Sequence, residues 1–173
     1  MNQLPKRSET SPDHRWKLED LFADKGAWEQ EYAVAKQLLN QIGQYEGKLA
    51  DPGKLKECFE LEDELSLHVE RLYVYANMRH HEDTAEPANM ALSDKSKKLS
   101  VETGEALSFI TPEVLSLPDD QLDKLIDNPE LAKYRFTLSR CAAKRRMYFR
   151  RPRKRCLPKR ATSVRRLAPF SAC

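Results

Sequence analysis

From Trp16 to Leu138 the apolar positions recur at helical spacing, and no stretch alternates with a period of two. Trp28, Tyr32, Ala35, Leu39 and Ile42 step by 4, 3, 4 and 3, which draws one apolar stripe along a first helix. Asp24 supplies a carboxylate to cap its free amides, and Gly43 and Gly47 mark its end. Asp51-Pro52 starts a second, long helix running to about His81. Its inner face is Leu61, Leu65, Leu72 and Tyr75, widened by Leu55, Phe59 and Val69. Asp83 or Thr84 caps a third helix with Pro87 near its start and Ala88, Leu92, Leu99, Ala106 and Phe109 inside. Thr111-Pro112-Glu113 opens a short fourth helix, Pro118-Asp119-Asp120 a fifth, and Asn128-Pro129-Glu130 a sixth through Leu138. The pattern predicts an all-α fold, an antiparallel bundle of about five or six helices.

Composition changes this picture in one place. The chain has 173 residues and a net charge of +3, but the charge is unevenly laid down. Residues 1–140 hold 18 Lys and Arg against all 27 Asp and Glu, so 18 − 27 = −9. Residues 141–173 hold the other 12 basic residues and no acid, so +12. The expected organisation is therefore a flexible arm over 1–15, a helical domain over 16–138, and a basic, disordered tail over 139–173. A chain 40% hydrophobic and 33% charged suits a soluble helical protein. No run approaches the roughly 18 apolar residues of a membrane span, and Met1 to Trp16 lacks an apolar signal core. A cytoplasmic location is the expectation.

Candidate chemistry is sparse. His80-His81-Glu82-Asp83 is the cluster nearest to a metal site, but an H-E-x-x-H helix needs a second imidazole one turn later, and Ala85 stands four after His81. Glu60, Glu62, Asp63 and Glu64 crowd four carboxylates into five positions that span all sides of a helix, which suits a solvated face better than acid–base catalysis. Trp28, Tyr73 and Tyr75 read as core and boundary packing rather than a peptide-binding surface. Cys58, beside Phe59, reads as a small buried apolar residue. Cys58, Cys141, Cys156 and Cys173 include no C-x-x-C pair. No catalytic, cofactor-binding or metal-ligating residue is assigned.

Five stretches carry a resemblance. Trp16-Lys17-Leu18-Glu19-Asp20-Leu21-Phe22 is followed in order by Tyr45–Leu49, Arg71–Arg79, Leu107–Glu113 and Asn128–Phe136. Together they resemble the N-terminal helical domain of the oligoendopeptidase F family, the M3 zinc metallopeptidases. The resemblance implies an all-α cytoplasmic enzyme that cleaves short peptides in a deep channel. Zinc in an intact member is held by the two His of H-E-x-x-H and a downstream Glu, with the motif Glu activating water. All of that lies in a catalytic part to which no position here corresponds. The chain is thus expected to carry no cofactor and to be inactive, its implied partner being the catalytic domain of an intact peptidase.

The resemblance stops at Leu138, where the acids also stop. Regrouping codons by one base turns residues 146–150 into a possible Pro-His-Val-Leu-Ser. The same shift turns 154–160 into Ala-Leu-Leu-Ala-Gln-Ala and 166–173 into Ala-Arg-Thr-Val-Phe-Gly-Met. An out-of-frame tail is the expectation. Two other classes compete with it: a stand-alone helical interaction module, and a nucleic-acid-binding arm whose 12 positive charges would neutralise phosphates.

Overall fold

A computed structural model describes residues 10–148, with side chains described up to Arg145 save that of Pro12. Six α-helices follow one another: α1 (Lys25–Ile42), α2 (Pro52–Glu82), α3 (Pro87–Leu107), α4 (Ile110–Ser116), α5 (Asp119–Asp127) and α6 (Arg135–Tyr148). There is no strand among the described residues. Three 3-10 turns, Leu18–Asp20, Gly43–Tyr45 and Pro129–Tyr134, sit at the joints, and a fourth, Pro12–His14, falls in the segment expected to be a loose arm.

The first three helices run up, down and up. Trp28 Nε1 on α1 donates to the Leu72 carbonyl of α2, and three residues later Glu31 meets His68, so the pair is antiparallel. Glu29 pairs with Lys95 and Lys36 with Glu102, so α1 and α3 run the same way. A 31-residue helix is about 46 Å long at 1.5 Å per residue, longer than one small core needs. Accordingly α2 serves two cores. Its first half places Leu55, Cys58, Phe59 and Leu61 against α4, α5 and α6. Its second half places Leu65, Val69, Leu72, Tyr75 and Ala76 against α1, α3 and the Leu18–Phe22 anchor.

The expected caps on α1 and α2 are present: Asp24 accepts from the Ala27 amide at 2.8 Å and Asp51 from Lys54 at 3.0 Å. The third differs. Glu86, not Asp83 or Thr84, caps α3 by accepting from the Ala88 amide. Pro87 takes the first helical position, which moves the cap to its immediate predecessor, while Asp83 closes α2 and accepts from Ala85 instead. The inner face of α3 also differs from expectation. Ala88 is exposed, and Ser93, Ser96 and Thr103 are buried beside Leu92 and Leu99. Small side chains there let α3 lie close to α2, and the Ser93 hydroxyl donates to Asn77 across the seam.

The sixth helix begins and ends elsewhere than expected. Asn128 does cap the segment, but Pro129–Tyr134 is 3-10, which brings Leu131 and Tyr134 onto one buried face. The α-helix proper starts at Arg135 and runs past Leu138 to Tyr148, so residues 139–148, placed by sequence in a disordered tail, are helical. Leu138 is buried, and Cys141 and Ala142, one turn on, pack against the same core. Arg145 reaches back to Asp119 at 3.4 Å. The rest of the expected tail, 149–173, and residues 1–9 of the arm lie outside the described residues.

Candidate functional site

The residues weighed for chemistry are dispersed. His80 and His81 close α2 with ring centroids 5.7 Å apart and tilted by 47°. His81 is exposed, whereas His80 is half-buried with its Nδ1 facing no hydrogen-bond partner among the described residues. The two rings are near each other, but Ala85 stands where a helical metal motif would place its second imidazole one turn on. Among the described residues no three His, Cys, Asp or Glu side chains group closely enough to hold a metal. The residues present do not fit the zinc site that the family resemblance implies for an intact member.

Trp28 and Tyr75 are buried core residues: Trp28 stacks on Tyr32 at 5.3 Å, and Phe22 meets Tyr75 edge-on at 5.3 Å. Tyr73 is exposed. Cys58 is fully buried, and burial pushes its thiol up to about 11, far from a reactive thiolate.

The four-carboxylate run is not uniformly solvated. Glu60, Asp63 and Glu64 face outward, but Glu62 is half-buried, and burial holds its carboxyl above the usual range, with Asp63 adding to the effect. Asp63 Oδ2 accepts from Lys133 Nζ at 2.6 Å and from the Tyr134 hydroxyl at 2.9 Å. The Lys133 ammonium holds its carboxyl below the usual range. Tyr134 also lies against Phe59, centroids 4.8 Å apart. This group ties the Pro129–Tyr134 turn to α2.

Two more joints escaped the sequence reading. Glu31 accepts from Arg71 at 3.0 Å and faces His68 Nδ1 at 2.7 Å, while Arg71 also lies over the Phe22 ring and donates to the Leu21 carbonyl. Glu113 accepts from the backbone amides of Gly47 and Leu49, each at 2.8 Å. Gly47 has φ +76°, a left-handed turn that a side chain would strain. The partners are separated by 37 to 71 residues, so no local signal could have announced them.

These joints coincide with the five resembling stretches. Trp16–Phe22 meets Arg71–Arg79 through Phe22, Arg71 and Tyr75, and Tyr45–Leu49 meets Leu107–Glu113 through Glu113. Asn128–Phe136 meets α2 through Lys133 and Tyr134. In this chain the five stretches hold helices to one another.

Comparison with known proteins agrees. Oligopeptidase PepF of Bacillus subtilis is 37% identical over 135 residues, 77% of this chain and 20% of that protein. Group B oligopeptidase PepB of Streptococcus agalactiae is 32% identical over 130 residues, 74% of this chain and 22% of that one. This helical segment is homologous to part of the oligoendopeptidase F-type oligopeptidases. An oligoendopeptidase F homolog of Lactococcus lactis is 29% identical over 147 residues. The crystal structure of a candidate peptidase from Chlamydophila abortus shares the fold, with a TM-score of 0.69 at 23% identity over 80% of this chain and 24% of that one. No family model matches. The chain spans about a fifth to a quarter of the length of these relatives.

Besides these joints the surface carries a shallow depression of ≈ 380 Å³, walled by Leu39, Ile42 and Phe109 and rimmed by Asn40, Glu46 and Glu105. Ser108 also lines it, and among the described residues its two carboxylates have no third metal-ligating side chain beside them. Among the described residues no helix is long and apolar enough to cross a membrane.

Proposed function

We propose that this chain is the leading helical domain of an oligoendopeptidase F-type zinc metallopeptidase of the cytoplasm, cut off from its catalytic part by a change of reading frame near codons 138–141. The observation that carries the reading is the asymmetry of the match: 74–80% of this chain aligns with only 20–24% of each relative. The names of those relatives describe oligopeptidases, so an intact counterpart would hydrolyse short peptides. The domain's own part would be structural, forming a helical wall that limits what reaches the catalytic centre. By itself the chain cleaves nothing, because its 173 residues contain no H-E-x-x-H and so lack paired imidazole ligands and general base together.

Sequencing the gene beyond codon 138 tests the reading. A long open frame in one alternative register, encoding an H-E-x-x-H helix, is the expected result. The product of that restored frame should show zinc-dependent cleavage of short unstructured peptides. Stop codons in both alternative registers would sink the frameshift and return the tail to the status of a genuine basic arm.

A further inference from the structure

The solvent face of α1 is chemically unlike the others. Gln30, Ala33, Val34, Gln37, Asn40 and Gln41 are exposed and fall on one side of the helix at 100° per residue, and none is charged. The ionic residues of this stretch are turned sideways onto neighbours: Glu31 to His68 and Arg71, Lys36 to Glu102, with Glu29 just before it on Lys95. The outward faces of the other two long helices carry charges among exposed apolar residues such as Leu67 and Tyr73 on α2 and Met90 and Val101 on α3. On α2 the exposed residues include Glu57, Glu60, Asp63, Glu64 and Glu70, and on α3 Asp94, Lys97, Lys98 and Glu105. In a chain that is 33% charged, a three-turn outward face without a single charge needs a reason.

Depletion of charge is what distinguishes the buried part of a protein interface from ordinary surface. The cause is desolvation: taking an ion out of water costs several kcal/mol unless it is paired, whereas a primary amide exchanges water for another hydrogen-bonding partner at little loss. The depression walled by Leu39, Ile42 and Phe109 opens beside Asn40, at the end of this face, where Glu46 and Glu105 return charge to the surface. We infer that the outer face of α1 is the seam against which the remainder of an intact relative packs. This inference rests on the reading given under Proposed function. The occupant follows from length: the match fills 20–24% of each relative, so most of the polypeptide lies outside it and must meet this domain on some face. Of the three long faces, α1 alone can be covered without stripping water from a carboxylate or an ammonium.

Cysteine labelling tests it. Residues 10–148 replace the matched segment of the Bacillus subtilis relative, and Gln37→Cys, Glu64→Cys and Lys97→Cys are placed singly in this chimera and in the 173-residue chain. Maleimide modification of each site is timed by peptide mass spectrometry. Gln37→Cys should react at least about tenfold more slowly in the chimera than in the isolated chain, because a covered site reacts only through local opening. Glu64→Cys and Lys97→Cys should react alike in both. A chimera that melts cooperatively yet leaves Gln37→Cys open, or protects Glu64→Cys in its place, overturns the seam alone. A chimera with no cooperative melt overturns the reading that this segment can stand in for a relative's own, and the seam falls with it.

Discussion

Glu113 accepts the Leu49 backbone amide at 2.8 Å from a position 64 residues later in the chain. Its other oxygen takes Gly47, so one carboxylate of α4 clamps the turn between α1 and α2. The turn cannot satisfy these amides itself, because Gly47 leaves the helical path with φ +76°.

Removing that carboxylate should therefore cost more than a surface substitution. Glu113→Ala removes the acceptor of an exposed amide, Gly47, and of a part-buried one, Leu49, and should lower stability by about 1 kcal/mol. Glu113→Gln keeps one acceptor oxygen and should cost less. Denaturant melts followed by far-UV circular dichroism give both values. Equal stability of all three chains would show that water replaces the carboxylate at no cost.

The end of the folded domain is also open to test. Cys141 and Ala142 pack on the core around Leu138, and Arg145 reaches Asp119. A chain ending at Tyr148 should be more stable than one ending at Leu138 by about 1 kcal/mol or more, from the apolar area those two side chains remove from water. Identical melting temperatures would place the domain boundary at Leu138 after all.

Two neighbouring carboxylates should respond oppositely to acid. The Asp63 carboxyl sits low because of Lys133, so its stabilising share is present at neutral pH and is lost as pH falls through its folded pKa. The pair is largely exposed, which keeps that share under about 1 kcal/mol. The Glu62 carboxyl sits high because it is partly buried, so its ionised form burdens the fold as pH rises through its folded pKa. Glu62→Gln should raise the melting temperature at neutral pH and make no difference in strong acid, whereas Asp63→Asn should lower it at neutral pH and make no difference in strong acid. Parallel pH profiles for the two variants would contradict this assignment.

The purified 173-residue chain should hydrolyse no peptide above background, with or without added zinc. Substituting Ala for His80 and His81 should change nothing, since among the described residues no third ligand joins the two rings. Zinc-dependent turnover that co-purifies with the chain and vanishes in that double variant would refute the inactivity.

The sequence by itself determined the helices. Residues 28, 35 and 42 of α1, and 65, 72 and 75 of α2, are buried where the 3.6-residue period puts them, and Asp24 and Asp51 cap where a free amide needs an acceptor. Those effects act within one or two turns, so local order suffices to read them. The sequence also held the family, because the five stretches lie in order along it. What it could not give is the set of joints. Glu31, Asp63 and Glu113 look like any solvated acid until the fold brings residues 37 to 71 positions away to them. The same limit explains Pro129–Tyr134 and the run of α6 past Leu138: Phe59 and the core around Leu138 decide them by packing, and packing partners are not neighbours in sequence. The uncharged face of α1 needed both levels. Its residues are legible one by one, but only the tertiary structure, by turning Glu29, Glu31 and Lys36 sideways onto partners, left that side of the helix without a charge.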